Sequence, residues 1–117
     1  MLPQVYRLSR HADIQLVLRS GRRSYGSLLS VSAIPNELDR SRFAVIVGKK
    51  QYLLASDRNR AKRLIRESIR TILPNISPGF DITVLLIRKA DKRLEISILI
   101  SEIENLIQKL CLLQTRK

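Results

Sequence analysis

SDRNRAKRLIRESIR, Ser56–Arg70, carries five arginines and one lysine, yet Leu64, Ile65 and Ile69 run through it. At about 100° per residue, Ala61, Leu64, Ile65, Ser68, Ile69 and Ile72 share one face of a helix, and Asn59, Lys62, Arg63, Arg66 and Arg70 share the other. The pattern predicts a helix from a cap at Ser56 or Asp57 to about Leu73, because Pro74 disfavours helical backbone at the residue before it. Arg58 and Arg60 flank the first turn, where the helix dipole favours anions. One acid stands near the wet face: Glu67, at pairing distance from Arg63. Lys62 and Arg66, and Arg66 and Arg70, stand at repelling spacings. Each repelling pair costs an isolated helix about a few tenths of a kcal/mol. A helix that meets only water gains nothing for that cost. A helix that lies along a polyanion does.

The rest of the chain fits this reading. Its 117 residues predict one domain, 1–117, able to bury a modest core without metals or disulfides. A hydrophobic content of 44% is too high for a wholly disordered chain, and the 4% of aromatics leaves the core to Leu, Ile and Val. One cysteine, Cys111, excludes an intrachain disulfide and a multi-cysteine zinc site. Leu110 and Leu112 beside it predict a buried thiol. The opening MLPQVYRLSRH lacks the apolar stretch and cleavage site of a signal peptide. No run approaches the roughly 18 apolar residues that span a bilayer. The expectation is a cytoplasmic domain with no membrane partner. Twenty-two Lys and Arg against ten Asp and Glu leave a net charge of +12, a self-repulsion that a polyanion relieves. Arginine supplies most of it, and its planar fork suits phosphates and base stacking, which favours nucleic acid over an acidic protein or a membrane surface.

Outward from the basic helix, SRHADIQLVLRS (residues 9–20) predicts a first helix capped by Ser9 and stopped by Gly21. Ile14, Val17 and Leu18 share its inner face, with Arg10 and Arg19 at the border. LLSVSAI (28–34) and RFAVIVGKK (42–50) read as strands, and the polar NELDRS between them is short enough for a hairpin loop. Residues 24–29 extend the first strand or form another. DITVLLI (81–87) holds a continuous apolar run and predicts a central, buried strand. A basic turn, RKADKR, follows it. LEISILISEIENLIQKL (94–110) alternates at its start but fits a helical stripe along its whole length, and length decides for one long helix. Arg116–Lys117 would be a frayed end.

Candidate catalytic chemistry is missing. The lone His11 sits on the polar side of the first helix. No GxSxG, HExxH, Gly-rich phosphate loop or Cys/His cluster occurs. The ten acids are scattered, without the close pair of a two-metal nuclease. The side chains predict no catalyst by themselves.

One family matches these parts in order. Arg58-Asn59-Arg60-Ala61-Lys62-Arg63-Leu64-Ile65-Arg66 resembles the Arg-Asn-Arg motif and basic helix of the bacterial ribonuclease P protein component. YRLSRHADIQLVLRSGRR resembles that family's opening, RFAVIVGKK its strand ending in a lysine pair, and PGFDITVLLIRK its last strand. The resemblance implies an α+β fold: an α/β sandwich of order αβββαβα, with a four-stranded mixed sheet and a left-handed βαβ crossover. It implies a protein subunit that helps a catalytic RNA remove the 5′ leader of precursor tRNA. Hydrolysis would belong to the RNA and its bound Mg²⁺, with no obligate protein partner. Arg58, Asn59, Arg60, Lys62, Arg63, Arg66, Arg70, Lys49 and Lys50 would contact the catalytic RNA. Ile14, Leu18, Arg19 and Ser32 would line a cleft for the leader.

Two departures stand out. The family's pair of aromatics on the first helix is here Ile14 and Leu18, which removes stacking worth about 1–3 kcal/mol per base. QYLLASD replaces the glycine-bearing segment between the lysine pair and the motif, with Tyr52 as a candidate ring or core residue. Other readings remain. A ribosomal protein could bury the same helix in folded RNA. A DNA-binding protein could place it in the major groove, although no helix-turn-helix partner precedes it. A membrane-surface helix would need the apolar face that the core requires, and aromatics that are absent.

Overall fold

A computed structural model describes residues 3–88 and 94–110. Cys111, the Arg116–Lys117 end and most of the basic turn after Ile87 lie outside those residues. After a 3-10 turn at Gln4–Tyr6 come α1 (His11–Ser20), β1 (Arg22–Tyr25), β2 (Leu29–Pro35), β3 (Arg42–Ile46), α2 (Ala55–Ile72), β4 (Phe80–Leu86) and α3 (Ile96–Lys109). The order αβββαβα is the one expected. Residues after Gly21 form a strand of their own, β1.

The strands lie in the order β1-β2-β4-β3, antiparallel except for β3 beside β4. DITVLLI does lie inside the sheet, paired on both sides. Its insertion overturns the expected hairpin of the second and third strands. NELDRS instead carries the chain past the start of β4, a step of two strand spacings, about 10 Å, well within the reach of six residues. The crossing is tied down: the Asn36 amide donates to the Gly79 carbonyl at 2.9 Å, and Ser41 Oγ donates to the Ser77 carbonyl at 2.8 Å. β3 and β4 are then parallel neighbours joined through α2.

Alternation sorts the side chains onto two faces. Leu29, Val31, Phe43, Val45, Ile82 and Val84 point at α2 and α3, and form the main core with Ile65, Ile69, Leu99, Ile103, Leu106 and Ile107. The other face carries α1, whose buried Val17 packs with Leu8 and Ala44 beside Ile14 and Ile34. Burying one side chain such as Ile65 contributes about 2–3 kcal/mol, so the apolar face of α2 fixes the helix to the sheet. Ser68, also buried there, is satisfied by donating to the Leu64 carbonyl at 2.8 Å.

Helix starts differ from the expected caps. α1 begins after Arg10, not at Ser9, because Leu8 donates its amide to the Phe43 carbonyl at 2.7 Å and holds the preceding chain extended. α2 begins after Leu54, and neither Ser56 nor Asp57 caps it. α3 begins at Ile96, two residues inside the expected span. The helical reading of residues 96–100 holds because Leu99 is fully buried while Ile98 faces out, a periodicity of 3.6 and not of 2.

Candidate nucleic-acid interface

The outer face of α2 is a row of cations on a rigid support. Asn59, Arg60 and Arg63 are exposed, and Lys62 and Arg66 are half-buried on the flanks. Among the described residues, no ion pair involves Arg60, Lys62, Arg63 or Arg66. Burial, with repulsion from Arg7 added, pulls the Arg66 guanidinium below its ordinary range. Arg7 reaches this place because its backbone bridges to Phe43 along β3.

Not every arginine of the motif helix is placed alike. Arg58 turns back: its Nη1 donates to the carbonyls of Tyr52 at 3.0 Å and Leu53 at 2.7 Å, fastening the loop that leads into α2. Arg70 donates through Nε and Nη2 to Glu67 Oε1 at 3.0 and 2.6 Å. Glu67 therefore pairs forward with Arg70 and not, as the spacing suggested, back with Arg63. An acid N-terminal to its cation is the better order on a helix. That hydrogen bond is the largest of the causes that lower the Glu67 carboxyl to about 2. Lys49 and Lys50 are exposed in the turn after β3, at the end of the sheet where α2 starts. Tyr52 packs partly buried against the main core, so its ring is largely spent on structure.

The α1 side of the sheet is a second surface, and the strand register orders it in rows. Arg42, Asp81 and Ile34 form the first row, Ala44, Thr83, Ser32 and Arg23 the second, and Ile46, Leu85, Ser30 and Tyr25 the third. α1 packs over the first two through Val17, with Ile14 and Leu18 partly buried at its edge and Arg19 exposed beyond them. Arg42 grips Asp81 with Nε and Nη2 at 2.9 and 2.8 Å and lies 3.8 Å from Asp13. The Asp81 hydrogen bond raises the Arg42 pKa further, and both carboxylates add to it. Ser32 is 1% exposed and accepts a hydrogen bond from Arg23 Nε at 2.8 Å. Its hydroxyl is spoken for. Thr83 Oγ1 is, among the described residues, the one buried side-chain oxygen with no partner.

The sequence reading thus brought together the α2 cations and, separately, Ile14, Leu18, Arg19 and Ser32. It missed Arg7, which comes near Arg66 because residues 7–8 pair alongside β3 at Phe43. It also passed over Arg23 and Tyr25, although a strand that places Arg23 opposite Ser32 would have paired them.

The family model described as Ribonuclease P matches residues 2–111. The chain is similar to the ribonuclease P protein component of Microcystis aeruginosa, 40% identical over 83 residues, covering 68% of this chain and 69% of that one. The same component of Dehalococcoides mccartyi is 43% identical over 84 residues, 72% of this chain and 68% of that one. Among solved structures, the RNase P protein of Staphylococcus aureus superposes with a TM-score of 0.79 at 26% identity, over 93% of this chain and 98% of that one. The RNase P protein of Thermotoga maritima, in complex with 1-(4-fluorophenyl)-2-thiourea, gives 0.76 at 28% identity, over 88% and 98%.

Proposed function

The chain belongs to the ribonuclease P protein family, the protein subunit of a ribonucleoprotein endonuclease, and from this we propose how its two surfaces divide the work. The outer face of α2, with Lys49 and Lys50 at its start, binds the catalytic RNA. The α1 side of the sheet takes the single-stranded 5′ leader of precursor tRNA. The observation that carries the first assignment is the run Arg60, Lys62, Arg63 and Arg66, without acid partners among the described residues, on a helix whose other face is core. Such a row neutralises phosphates without having to break protein ion pairs first.

Catalysis in this reading belongs to the RNA. Mg²⁺ would be held by RNA phosphates, and the protein would lower the need for it by adding positive charge. None of the described helices is long and apolar enough to cross a membrane. In this reading the protein works where its RNA partners are, in the cytoplasm.

The test is cleavage of a precursor tRNA by a bacterial ribonuclease P RNA at low magnesium, with and without this protein. Stimulation that leaves the correct mature 5′ end supports the reading. Tight RNA binding with no stimulation would overturn it in favour of another RNA-bound role, such as that of a ribosomal protein.

A further inference from the structure

α1 lacks stacking rings, yet an aromatic ring does stand at the edge of the same face. Tyr25, at the end of β1, is 62% exposed, an unusual placement for one of only three tyrosines in the chain. It is held, not loose. The Arg23 guanidinium carbon lies 5.9 Å from the centre of its ring, and Arg23 also donates to Ser32 Oγ at 2.8 Å and to the Leu18 carbonyl at 3.0 Å. One arginine thus links the ring, the sheet and the end of α1. A cation over one face of a tyrosine leaves the ring available for a base on the other.

Tyr25 also opens a groove of about 810 Å³ on the β1 edge, which continues past Ser27 and Arg88 to Ser101, Asn105 and Lys109 of α3. Ile98, half exposed, gives the groove an apolar wall. Its one acid, Glu102, is turned to structural use: Oε2 accepts from the amides of Leu28 at 2.9 Å and Leu29 at 2.6 Å. That clamp brings the turn so close to α3 that a Cβ on Gly26 would lie 2.9 Å from the Glu102 carboxyl carbon. The charge left facing outward is that of Arg88 and Lys109. A ring, two separated cations and several neutral hydrogen-bonding groups along an open groove suit a flexible, phosphate-linked strand of bases.

We propose that the β1 edge is a binding site for single-stranded RNA, with Tyr25 stacking on a base and Arg88 and Lys109 meeting phosphates, so that the leader path runs on past the cleft. This rests on the function proposed above and moves the missing stacking ring from α1 to the sheet edge.

The experiment uses the reconstituted holoenzyme and precursor tRNAs whose leaders are shortened one nucleotide at a time. For the unaltered protein, affinity rises with leader length until the groove is filled. Tyr25→Ala should lower the ratio of long-leader to short-leader affinity about five-fold or more, and Tyr25→Phe should restore it. Arg88→Ala with Lys109→Ala should lower the same ratio and flatten its salt dependence by about one unit. A ratio unaffected by Tyr25→Ala, in a holoenzyme that the unaltered protein does stimulate, overturns the groove and leaves the function standing. A loss that is equal for every leader length overturns it too, since that is the mark of damaged RNA-subunit binding. If the unaltered protein gives no stimulation at all, both readings fall.

Discussion

Arg63 and Arg42 lie on opposite sides of one sheet and put the same side chain to opposite uses. Arg63 stands on α2 with no acid against it among the described residues, while Arg42 is locked to Asp81 and flanked by Asp13. Most of the α2 surface keeps its charge out of ion pairs among the described residues. The α1 surface spends its charge internally: Arg23 likewise goes to Ser32, the Leu18 carbonyl and the Tyr25 ring. A surface of the first kind binds through phosphates and answers steeply to salt. One of the second kind is pre-shaped and reads its ligand through fit and stacking. The contrast also shows why a net charge of +12 says little about where RNA lies, since an arginine counts the same in the sum whether engaged or open.

The largest effect that would break this comparison is on the α1 side. Asp81→Ala leaves the mostly buried Arg42 without its partner and should cost about 2–3 kcal/mol in urea unfolding, discounted from a fully buried pair because Arg42 remains partly exposed. If stability held while RNA affinity fell, Arg42 would belong with the open arginines. On the α2 side the expectation reverses. Arg63→Glu with Arg66→Glu should leave the melting temperature in place but weaken RNA binding at least ten-fold, about 1.4 kcal/mol. The salt slope should fall by about one unit per lost phosphate contact. Filter binding across a salt series measures both, and an unchanged slope would remove the helix from the interface.

Smaller changes sharpen the contrast. Thr83→Val removes the orphan hydroxyl beneath α1 and should raise the unfolding free energy by about 1 kcal/mol, read as a higher urea midpoint with an unchanged slope. A loss of stability would mean that the hydroxyl has work there. The smallest effect concerns Glu67, the second acid of α2. Glu67 is held at about 2, below its ordinary 4.5, chiefly by the Arg70 hydrogen bond. A depressed carboxyl contributes stability above its unfolded value and loses it as pH falls through the folded one, so the loss belongs between about 4.5 and 2. Arg70→Gln should flatten the melting temperature across that window, and Arg63→Gln should not. Equal effects would restore the Arg63–Glu67 pairing.

Some of this was legible before any coordinates. Ile65 and Ile69 repeat at helical spacing among arginines, and such a helix has one way to satisfy both faces, so its existence, its buried side and its cationic side followed from periodicity. The apolar run of β4 likewise announced a strand buried on both faces. Helix starts were less legible, because the cap at Ser9 was displaced by a contact with Phe43, a residue far along the chain. The order of the strands was illegible for the same kind of reason. NELDRS is compatible with a hairpin, and only the demand of β4 for partners on both edges separates β2 from β3.

Local pattern therefore determined the elements, the charge of α2 and the family resemblance, since each depends on residues a few positions apart on one element. Tertiary structure alone decided which cations stay open. Whether Arg66 faces Arg7, Arg42 finds Asp81 or Arg23 reaches Ser32 depends on distances between chain segments that no local spacing encodes. Electrostatic pairing acts through space, over a few ångströms, and only the fold sets which charges come that close.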